Sequence, residues 1–503
     1  MASSSTSSNP LNLERFAQRA KHLHSFWTTN KENTKVWKSA DALCIVTGGQ
    51  NENGPLNPTS GSIQRYLFAY EFPKMIILFT ESKLIFVTTK KKGELFKEAS
   101  QHLKNAPFSI QCIEKVKDNS WHDNFQNLFT EIKSSMNGQV IGTLLKEEPS
   151  GKFAVAWQNA LKKSGLKEEE ASTGFNLAMA VKDKDEVLSL KKTALLSTKA
   201  MKKFAKRMWS IIDEDKEKVK HSTLASEIEN HVEDPTSMGQ KNFDEQSCES
   251  VVTSVQSGSD CKLSRNLALD KEEENLSYDN IICQFAARYE SYNANIARTY
   301  FVNAPKCVEK AYTLLLEVQQ VCLSALKHDH PLKSVYLAAK KHIQTHAEEL
   351  LQYFTPNCGT GIGIMLRDAS HVLSHKNKRL IKTGMTFNLA IGFQGVPIAL
   401  NDEEKGKAAE GARAQKDFSI LLADTVLVGP AGEDATNLTA AAKKNFSTIA
   451  QDIGGDSSSE DSDSDSEEEE DKKKKEPEIS RREQRQRQAA ETKAKTADIE
   501  EKR

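Results

Sequence analysis

The sequence has little that would suit a secreted or membrane-spanning chain. It contains no apolar run of roughly eighteen residues, the length that a transmembrane helix needs, and its N-terminus, MASSSTSSNP, has no apolar signal-peptide core. The eight cysteines form no CxxC pair and no zinc-type spacing. Such scattered cysteines are typical of reduced, mostly buried thiols inside the cell. Because a long apolar run is lacking, we expect no membrane partner.

A strong net charge is also lacking. The formal net charge of the 503 residues is -1, which excludes a general attraction to nucleic acid or to membranes. Any electrostatic function must therefore depend on charge that is locally segregated along the chain. The length is sufficient for two or three domains, each with its own core.

Short apolar runs alternate with amphipathic segments over the first third of the chain. A helix is predicted over 11–27, and further helices near 93–103 and 124–135. The apolar runs predict strands at 42–46, 66–72, 75–79 and 84–88. We expect a mixed α/β lobe over residues 1–181, with the three lysines at 90–92 ending an exposed strand.

A second domain is predicted over residues 182–450. It opens with a long amphipathic helix over 182–213 and contains two further helical stretches, 308–327 and 331–353. Residues 234–275 are rich in Ser, Asp, Glu and Gln with weak periodicity, so we interpret them as a surface insertion that could contain short strands.

Four short segments of this domain carry the most information. They read QFAARYESYNANIART (284–299), NCGTGIG (357–363), GMTFNLAIG (384–392) and LLADTVLV (421–428). In order and spacing they resemble the five-ligand dimetal site of the pita-bread fold of methionine aminopeptidases, aminopeptidase P, prolidase and creatinase. The resemblance implies a two-lobed α/β (α+β) architecture of the creatinase/aminopeptidase P type, with a creatinase-like N-terminal lobe.

Matching the motifs residue by residue shows that all five ligands of that site are replaced. The family has aspartate, aspartate, histidine, glutamate and glutamate where this sequence has, in order, Gln284, Asn295, Thr360, Ala390 and Ala423. A pair of hard divalent cations needs charged oxygen ligands to bind and to activate water. These five residues carry no charge, so we expect no metal, no cofactor and no hydrolysis, only a pocket or groove that could hold a peptide.

An active metallopeptidase with unconventional ligands is the alternative within the fold. Its candidate ligands are Asp368, His371, His375 and Asp424. His371 and His375 have the i, i+4 spacing of a helical zinc pair, but a third ligand is missing nearby and basic residues follow. We therefore interpret the histidine pair as part of an exposed loop.

The composition changes abruptly in residues 451–503, for which we predict an acidic and then basic linker, disordered or partly helical. Residues 456–471 contain ten acidic side chains and no apolar one. This acidic run is either a solvated linker or an arm that attracts histones. The acidic residues considered for that role are Asp461, Asp463, Asp465, Glu467, Glu468, Glu469, Glu470 and Asp471. Candidate sites for acidophilic kinases are Ser459, Ser462, Ser464 and Ser466.

The combination of a creatinase-like lobe, a pita-bread domain without ligands and an acidic-then-basic linker resembles the large subunit of the FACT histone chaperone. That resemblance implies a nuclear, chromatin-associated protein that binds core histones and nucleosomes during transcription, replication and repair. It also implies a smaller HMG-associated partner subunit, contacted through regions absent from this chain. A pseudo-peptidase that binds RNA or ribosomes is the further alternative, although such proteins generally lack the N-terminal lobe.

Overall fold

In the computed structural model of the protein, the described residues are 11–29, 35–49, 58–116, 121–215, 218–263, 273–400 and 416–452. The α-helices, in chain order from α1 to α11, are Leu13–Thr28, Thr59–Phe68, Lys90–Glu98, His122–Lys133, Lys152–Lys163, Ser172–Ala178, Lys184–Glu214, His221–Glu233, Lys306–Ala325, Lys333–His346 and Phe446–Ile449. The strands, from β1 to β15, are Ala42–Thr47, Met75–Phe79, Lys83–Thr88, Ser109–Glu114, Val140–Thr143, Lys167–Glu170, Cys248–Ser257, Asn280–Tyr289, Tyr292–Val302, Gly359–Gly361, Asp368–Val372, Thr386–Pro397, Asp417–Leu427, Thr436–Asn437 and Ala450–Gln451.

The N-terminal part of the chain forms a six-stranded sheet in the order β4-β3-β2-β1-β5-β6. The β1–β2 and β2–β3 pairs are antiparallel, and the remaining pairs are parallel. Apolar side chains leave both faces of the sheet, so one core lies under α1, α2 and α6 and a second under α4 and α5. Burial on both faces explains why strands such as MIILF are apolar throughout.

The second part of the chain forms a sheet with the strand order β11-β10-β12-β13-β9-β8-β7, while β14 pairs with β13 and β15 with β9. Its pairs are antiparallel except for β15 with β9. Helices α7, α8, α9 and α10 share the largest apolar core with one face of this sheet. The four sequence motifs lie mainly on strands β8, β9, β10, β12 and β13 of this sheet.

Helix α7 connects the two parts of the molecule and begins with a capping box. The side chain of Asp183 accepts a hydrogen bond from the backbone N–H of Glu186, whose side chain accepts one from the backbone N–H of Asp183. The buried Arg19 of α1 donates to Asp183 at 3.2 Å and to the hydroxyl of Tyr292 at 3.0 Å. Tyr292 in turn donates to Glu186 at 2.9 Å, so a polar network ties α1, α7 and β9 together.

Three sequence predictions about individual elements are wrong. Residues 66–72 are not a strand, because the first three of them form the last turn of helix α2, whose C-cap Ala69 is in the left-handed conformation (φ 56°). The lysines at 90–92 do not end a strand but form the first turn of α3. The predicted surface insertion 234–275 does contain a strand, β7, but this strand is not a surface segment, because it pairs with β8 along its whole length and buries most of its residues.

All eight cysteines are free thiols, and six of them are buried. This distribution agrees with the predicted reduced, mostly buried state. No helix in the described part of the chain is both long and apolar enough to cross a bilayer.

Candidate functional site

Three of the five replaced ligand positions lie side by side in one row of the second sheet. Strand pairing aligns Gln284 on β8 with Ala297 on β9, Ala297 with Ala423 on β13, and Ala423 with Ala390 on β12. Because side chains alternate between the two faces of a strand, these four aligned residues share one face. We call this face, which bears all five positions, the cleft face.

The other two positions, Asn295 and Thr360, lie in a second row of the sheet, two residues further along β9, β12 and β13. Asn295 on β9 donates from its side-chain nitrogen to the side-chain oxygen of Asn388 on β12 at 3.0 Å. The backbone N–H of Asn295 donates to the hydroxyl of Thr425 at 2.9 Å, and Thr425 is aligned with Asn388. Thr360 on β10 is aligned with Asn388 on its other side. An amide pair thus crosses the centre of the cleft face.

The five side chains are poorly suited to metal chemistry. Asn295 and Ala423 are fully buried, Gln284 and Thr360 are 7% exposed, and Ala390 is partly exposed. Together they provide two amides and a hydroxyl but no carboxylate and no imidazole, so nothing at these positions could neutralise a pair of divalent cations. Their chemistry is limited to hydrogen bonding and apolar contact.

One end of the cleft face is covered by residues 261–263, which we call the covering segment. The side chain of Gln256 on β7 accepts from the backbone N–H of Lys262 at 2.9 Å and donates to the carbonyl of Lys262 at 3.0 Å. The backbone N–H of Leu263 donates to the Gln394 side chain at 3.0 Å. The covering segment packs into an apolar cluster whose members are Cys261, Leu263, Ile282, Ala297, Ala390, Leu421 and Ala423.

The other end of the cleft face is closed by a second apolar cluster. Its members are Val251, Val252, Ala286, Ile362 and Leu366, from β7, β8 and the loop after β10. Ala390 and Ala423 thus belong to the first cluster, and Asn295, in the next row, is aligned with Ala286 of the second. A peptide could reach Asn295 or Ala423 only if one of these clusters moved.

On the opposite face of the same strands, Arg298 and Asp424 form a fully buried ion pair at 2.8 Å. Asp424 also accepts hydrogen bonds from Gln319 at 2.8 Å and from the hydroxyl of Thr439 at 2.7 Å. Burial alone would raise the pKa of the Asp424 carboxyl, but the cations Arg298 and Lys444 outweigh it and hold that pKa below its usual range. Asp424 is thus engaged in the core, away from the cleft face.

Two of the other alternative ligands, Asp368 and His371, pair with each other. The Nδ1 atom of His371 lies 2.5 Å from a carboxylate oxygen of Asp368, and both residues are buried on β11. Beside them is a small cavity, with room for about one water molecule, that Lys182 and Gly361 also line. The buried Nε2 atom of His371 has no hydrogen-bond partner among the described residues.

The predicted exposed loop is wrong for His371, which is 2% exposed in a strand, whereas His375 is exposed as expected. The structure does not bring His375 and Asp424 to the Asp368–His371 pair. No group of three or more His, Cys, Asp or Glu side chains in the described ranges could hold a metal ion. The acidic run and its four serines lie outside the described residues.

Sequence reasoning missed two parts of the cleft face. Asn388 fills the space beside Asn295, and its only signal was its position two residues before Ala390 in the GMTFNLAIG motif. The covering segment came from a stretch without periodicity, and its contacts with Gln256, Gln394 and Gly392 appear only in the structure. A Cβ atom on Gly392 would lie 2.2 Å from the backbone oxygen of Ile420 and 2.8 Å from the Leu263 side chain, so the glycine allows both to approach.

The lobe-and-sheet architecture and the cleft face define a protein of the pita-bread peptidase-like class. Two family models match: "FACT complex subunit SPT16 N-terminal lobe domain" over residues 11–174 and "Metallopeptidase family M24" over residues 188–430. The predicted α/β fold with a creatinase/aminopeptidase P-like architecture is thereby confirmed. The chain resembles, in particular, the N-terminal peptidase-like region of the FACT complex subunit SPT16.

Curated relatives and solved structures agree with this resemblance. The chain is 31% identical to the FACT complex subunit SPT16 of Zea mays over 458 residues, which cover 89% of this chain and 42% of that protein. It is 32% identical to the subunit of Arabidopsis thaliana over 83% of this chain and 38% of that protein. The chain thus spans about two fifths of the length of these relatives.

Among solved structures, the N-terminal domain of the chickpea (Cicer arietinum) FACT complex subunit SPT16 superimposes with a TM-score of 0.78 at 28% identity. The match covers 88% of this chain and 99% of the chickpea domain. An X-Pro aminopeptidase from Thermotoga maritima shares the fold at 16% identity, with a TM-score of 0.55 over 80% of this chain and 96% of that enzyme. This second likeness supports the fold alone.

Proposed function

We propose that this chain is a non-catalytic histone-binding module of a FACT-type histone chaperone, acting on chromatin in the nucleus. Its partners are core histones and nucleosomes, and its work is nucleosome reorganisation during transcription, DNA replication and repair. The smaller HMG-associated subunit is contacted through regions outside this chain. The resemblance to SPT16 over both lobes supports this proposal.

The observation that carries the non-catalytic part is the chemistry of the cleft face. Five positions that bear charged or imidazole ligands in the peptidases hold two amides, a hydroxyl and two methyl groups here. Without a cation, the site has no means to lower the pKa of water and produce a nucleophile. The Asp368–His371 and Arg298–Asp424 pairs do not take the place of the missing metal ligands, because in each pair the two residues are bonded to each other in the protein interior.

The acidic run supplies the attraction for histones. Ten carboxylates within residues 456–471 would attract the lysines and arginines of core histones over distances of roughly one Debye length, about 8–10 Å near physiological salt. The cleft face offers a second contact, lined by Gln284, Asn295, Thr360, Ala390 and Ala423. The covering segment narrows the access to the cleft face. We therefore assign the first contact with histones to the acidic run and a later contact to the cleft face.

A titration of labelled core histones with the purified chain tests this proposal. We expect saturable binding that weakens as salt is raised from about 0.1 M to about 1 M, because the shorter Debye length screens exposed charges. A variant in which the ten acidic residues of 456–471 become Asn or Gln, at unchanged length, should lose most of this affinity. A matched variant would neutralise Lys472, Lys473, Lys474 and Lys475 instead and should keep it.

Absence of histone binding at low salt would contradict the proposal. The same preparation separates the alternatives. Retention of ribosomes or RNA in place of histones would favour the RNA-binding pseudo-peptidase, while cleavage of an X-Pro dipeptide with added Mn²⁺ would favour the metallopeptidase.

A further inference from the structure

Helix α7 carries a face of lysines that the proposed function does not use. Between Lys191 and Arg207 the helix has no Asp or Glu. At about 100° per residue, its lysines fall within an arc of roughly 120°, opposite the buried side of the helix. We call this surface the lysine face, and its members are Lys191, Lys192, Lys199, Lys202, Lys203 and Lys206.

The lysine face is accessible to a partner. Lys191, Lys202 and Lys206 are exposed, and Lys199 and Lys203 are partly exposed. Leu195, which lies within the same arc, is 41% exposed.

Two described contacts lie beside the face. Glu227 on α8 pairs with Arg207 at 3.5 Å, and Lys192 lies over the ring of Tyr289 at 5.3 Å.

The described chain ends close to this helix. Helix α7 runs alongside β9, with Thr193 bonded to the carbonyl of Tyr292 at 3.2 Å and with Phe204 and Trp209 packed against the ring of Tyr300 at 5.9 Å and 6.2 Å. Strand β15 is paired with the end of β9, immediately beyond Tyr300. The last described residue, 452, therefore follows the strand that is paired with the end of β9 on which the C-terminal half of α7 packs, and this half of the helix has the most lysines.

The segment that follows has the opposite charge. Only three residues separate position 452 from the acidic run at 456–471. Eight residues of extended chain, counted from position 452, would span roughly 26 Å. This is more than the roughly 10–12 Å diameter of a helix with its side chains, so the chain is long enough to pass around α7. The run is thus tethered within reach of the lysine face, and a short tether gives it an effective concentration on the order of millimolar.

We propose that the acidic run, residues 456–471, docks on the lysine face of α7 in the same molecule. The run is held by carboxylate–ammonium pairs along an exposed helix, so the contact is sensitive to salt and exchanges readily. A tethered acid outcompetes a free polyanion such as DNA for the same lysines at equal affinity. As a consequence that rests on the proposed function, histones must displace the run from α7 before it can hold them.

Carbodiimide crosslinking of the full 503-residue chain, read by mass spectrometry, tests the docking. This reagent joins carboxylates to amines in direct contact, so crosslinks from 456–471 should concentrate on the lysine face and disappear at high salt. In a variant with Lys191, Lys199, Lys202 and Lys206 changed to Glu, they should be lost. A control variant with Lys162, Lys163, Lys340 and Lys341 changed to Glu, on helices α5 and α10, should retain them.

Crosslinks from the acidic run that are spread equally over the lysine face and over α5 and α10 would overturn the docking. An absence of crosslinks to α7, together with DNA binding that the four lysine-face substitutions abolish, would also overturn the docking. That result would assign the lysine face to nucleic acid. Adding core histones distinguishes the two proposals. Loss of the crosslinks supports both, whereas crosslinks that persist beside unbound histones leave the docking intact and contradict the histone-binding function.

Discussion

Arg298 and Asp424 face each other at 2.8 Å with no exposed surface, on the side of the sheet opposite the replaced ligands. Each follows directly after a cleft-face alanine, Ala297 or Ala423. The guanidinium also donates to the carbonyls of Ala423 at 2.9 Å and Ala442 at 3.1 Å. The pair therefore fixes β9 against β13, and with it the alignment of the cleft face, independently of any metal.

We predict that Asp424→Asn strongly destabilises the protein. The substitution leaves the buried Arg298 without a countercharge, and breaking such a pair costs about 3–5 kcal/mol. Urea denaturation should show this loss in the free energy of unfolding. The double variant Arg298→Met with Asp424→Leu removes both charges and should recover most of the loss. A single variant that unfolds at the wild-type urea concentration would show that the pair is dispensable.

Acid should weaken the fold through the same carboxyl. The pKa of Asp424 in the folded protein is below its usual range, because Arg298 and Lys444 outweigh the opposite effect of burial. A carboxyl of this kind adds stability above its unfolded pKa of about 3.9, and this stability is lost as the pH falls through the folded pKa. The wild type should therefore lose stability below about pH 4 more steeply than the double variant does. Parallel curves for the two proteins would exclude Asp424 as a cause.

The glycine that begins β10 should be irreplaceable. Gly359 has a φ of 119°, and a Cβ atom there would lie 1.9 Å from the carbonyl oxygen of Asn388. Gly395 also has a positive φ, 66°, but a Cβ atom on it would meet no atom of the described residues within 4 Å. We expect Gly395→Ala to cost about 1–2 kcal/mol for backbone strain alone. Gly359→Ala should lower the free energy of unfolding by about 4 kcal/mol or more, because the backbone at Asn388 must move as well. Equal thermal stability of the two variants would contradict this explanation.

Opening the covering segment should change peptide binding if the cleft face is used. Leu263→Ala removes the side chain that packs over Gly392, and the matched variant Leu337→Ala removes a side chain that is 46% exposed on α10. We expect Leu263→Ala to bind a histone-tail peptide more tightly than the wild type, while Leu337→Ala leaves the affinity unchanged. Unchanged affinity in both variants would restrict histone contact to regions away from the cleft face.

Periodicity in the sequence predicted the elements whose pattern is both long and regular. Helix α7 was predicted because its apolar residues recur at helical spacing over more than ten positions. The run at 66–72 failed because a short apolar segment fits a buried helix as well as a strand. Strand β7 was expected only as a short strand of a surface insertion, because its valines are interrupted by Ser, Thr, Glu and Gln.

For the candidate site, the motifs predicted five replaced positions, and strand pairing places these five residues in two neighbouring rows. The partners of those positions could not be predicted. The covering segment reaches the cleft face across 131 residues of sequence, from Leu263 to Gln394. The Arg298–Asp424 pair likewise joins residues 126 positions apart, and such contacts follow from the assembled sheet, not from a local pattern.

Calorimetric titration of the metal-free chain with Mn²⁺, beside an active prolidase as a positive control, tests the central claim most directly. The claim is that the cleft face retains the peptidase framework but has lost every group able to bind a cation. It predicts no saturable heat for this chain under conditions in which prolidase binds its metal ions. Stoichiometric uptake of two ions, abolished by substitution of Gln284 and Asn295, would contradict it.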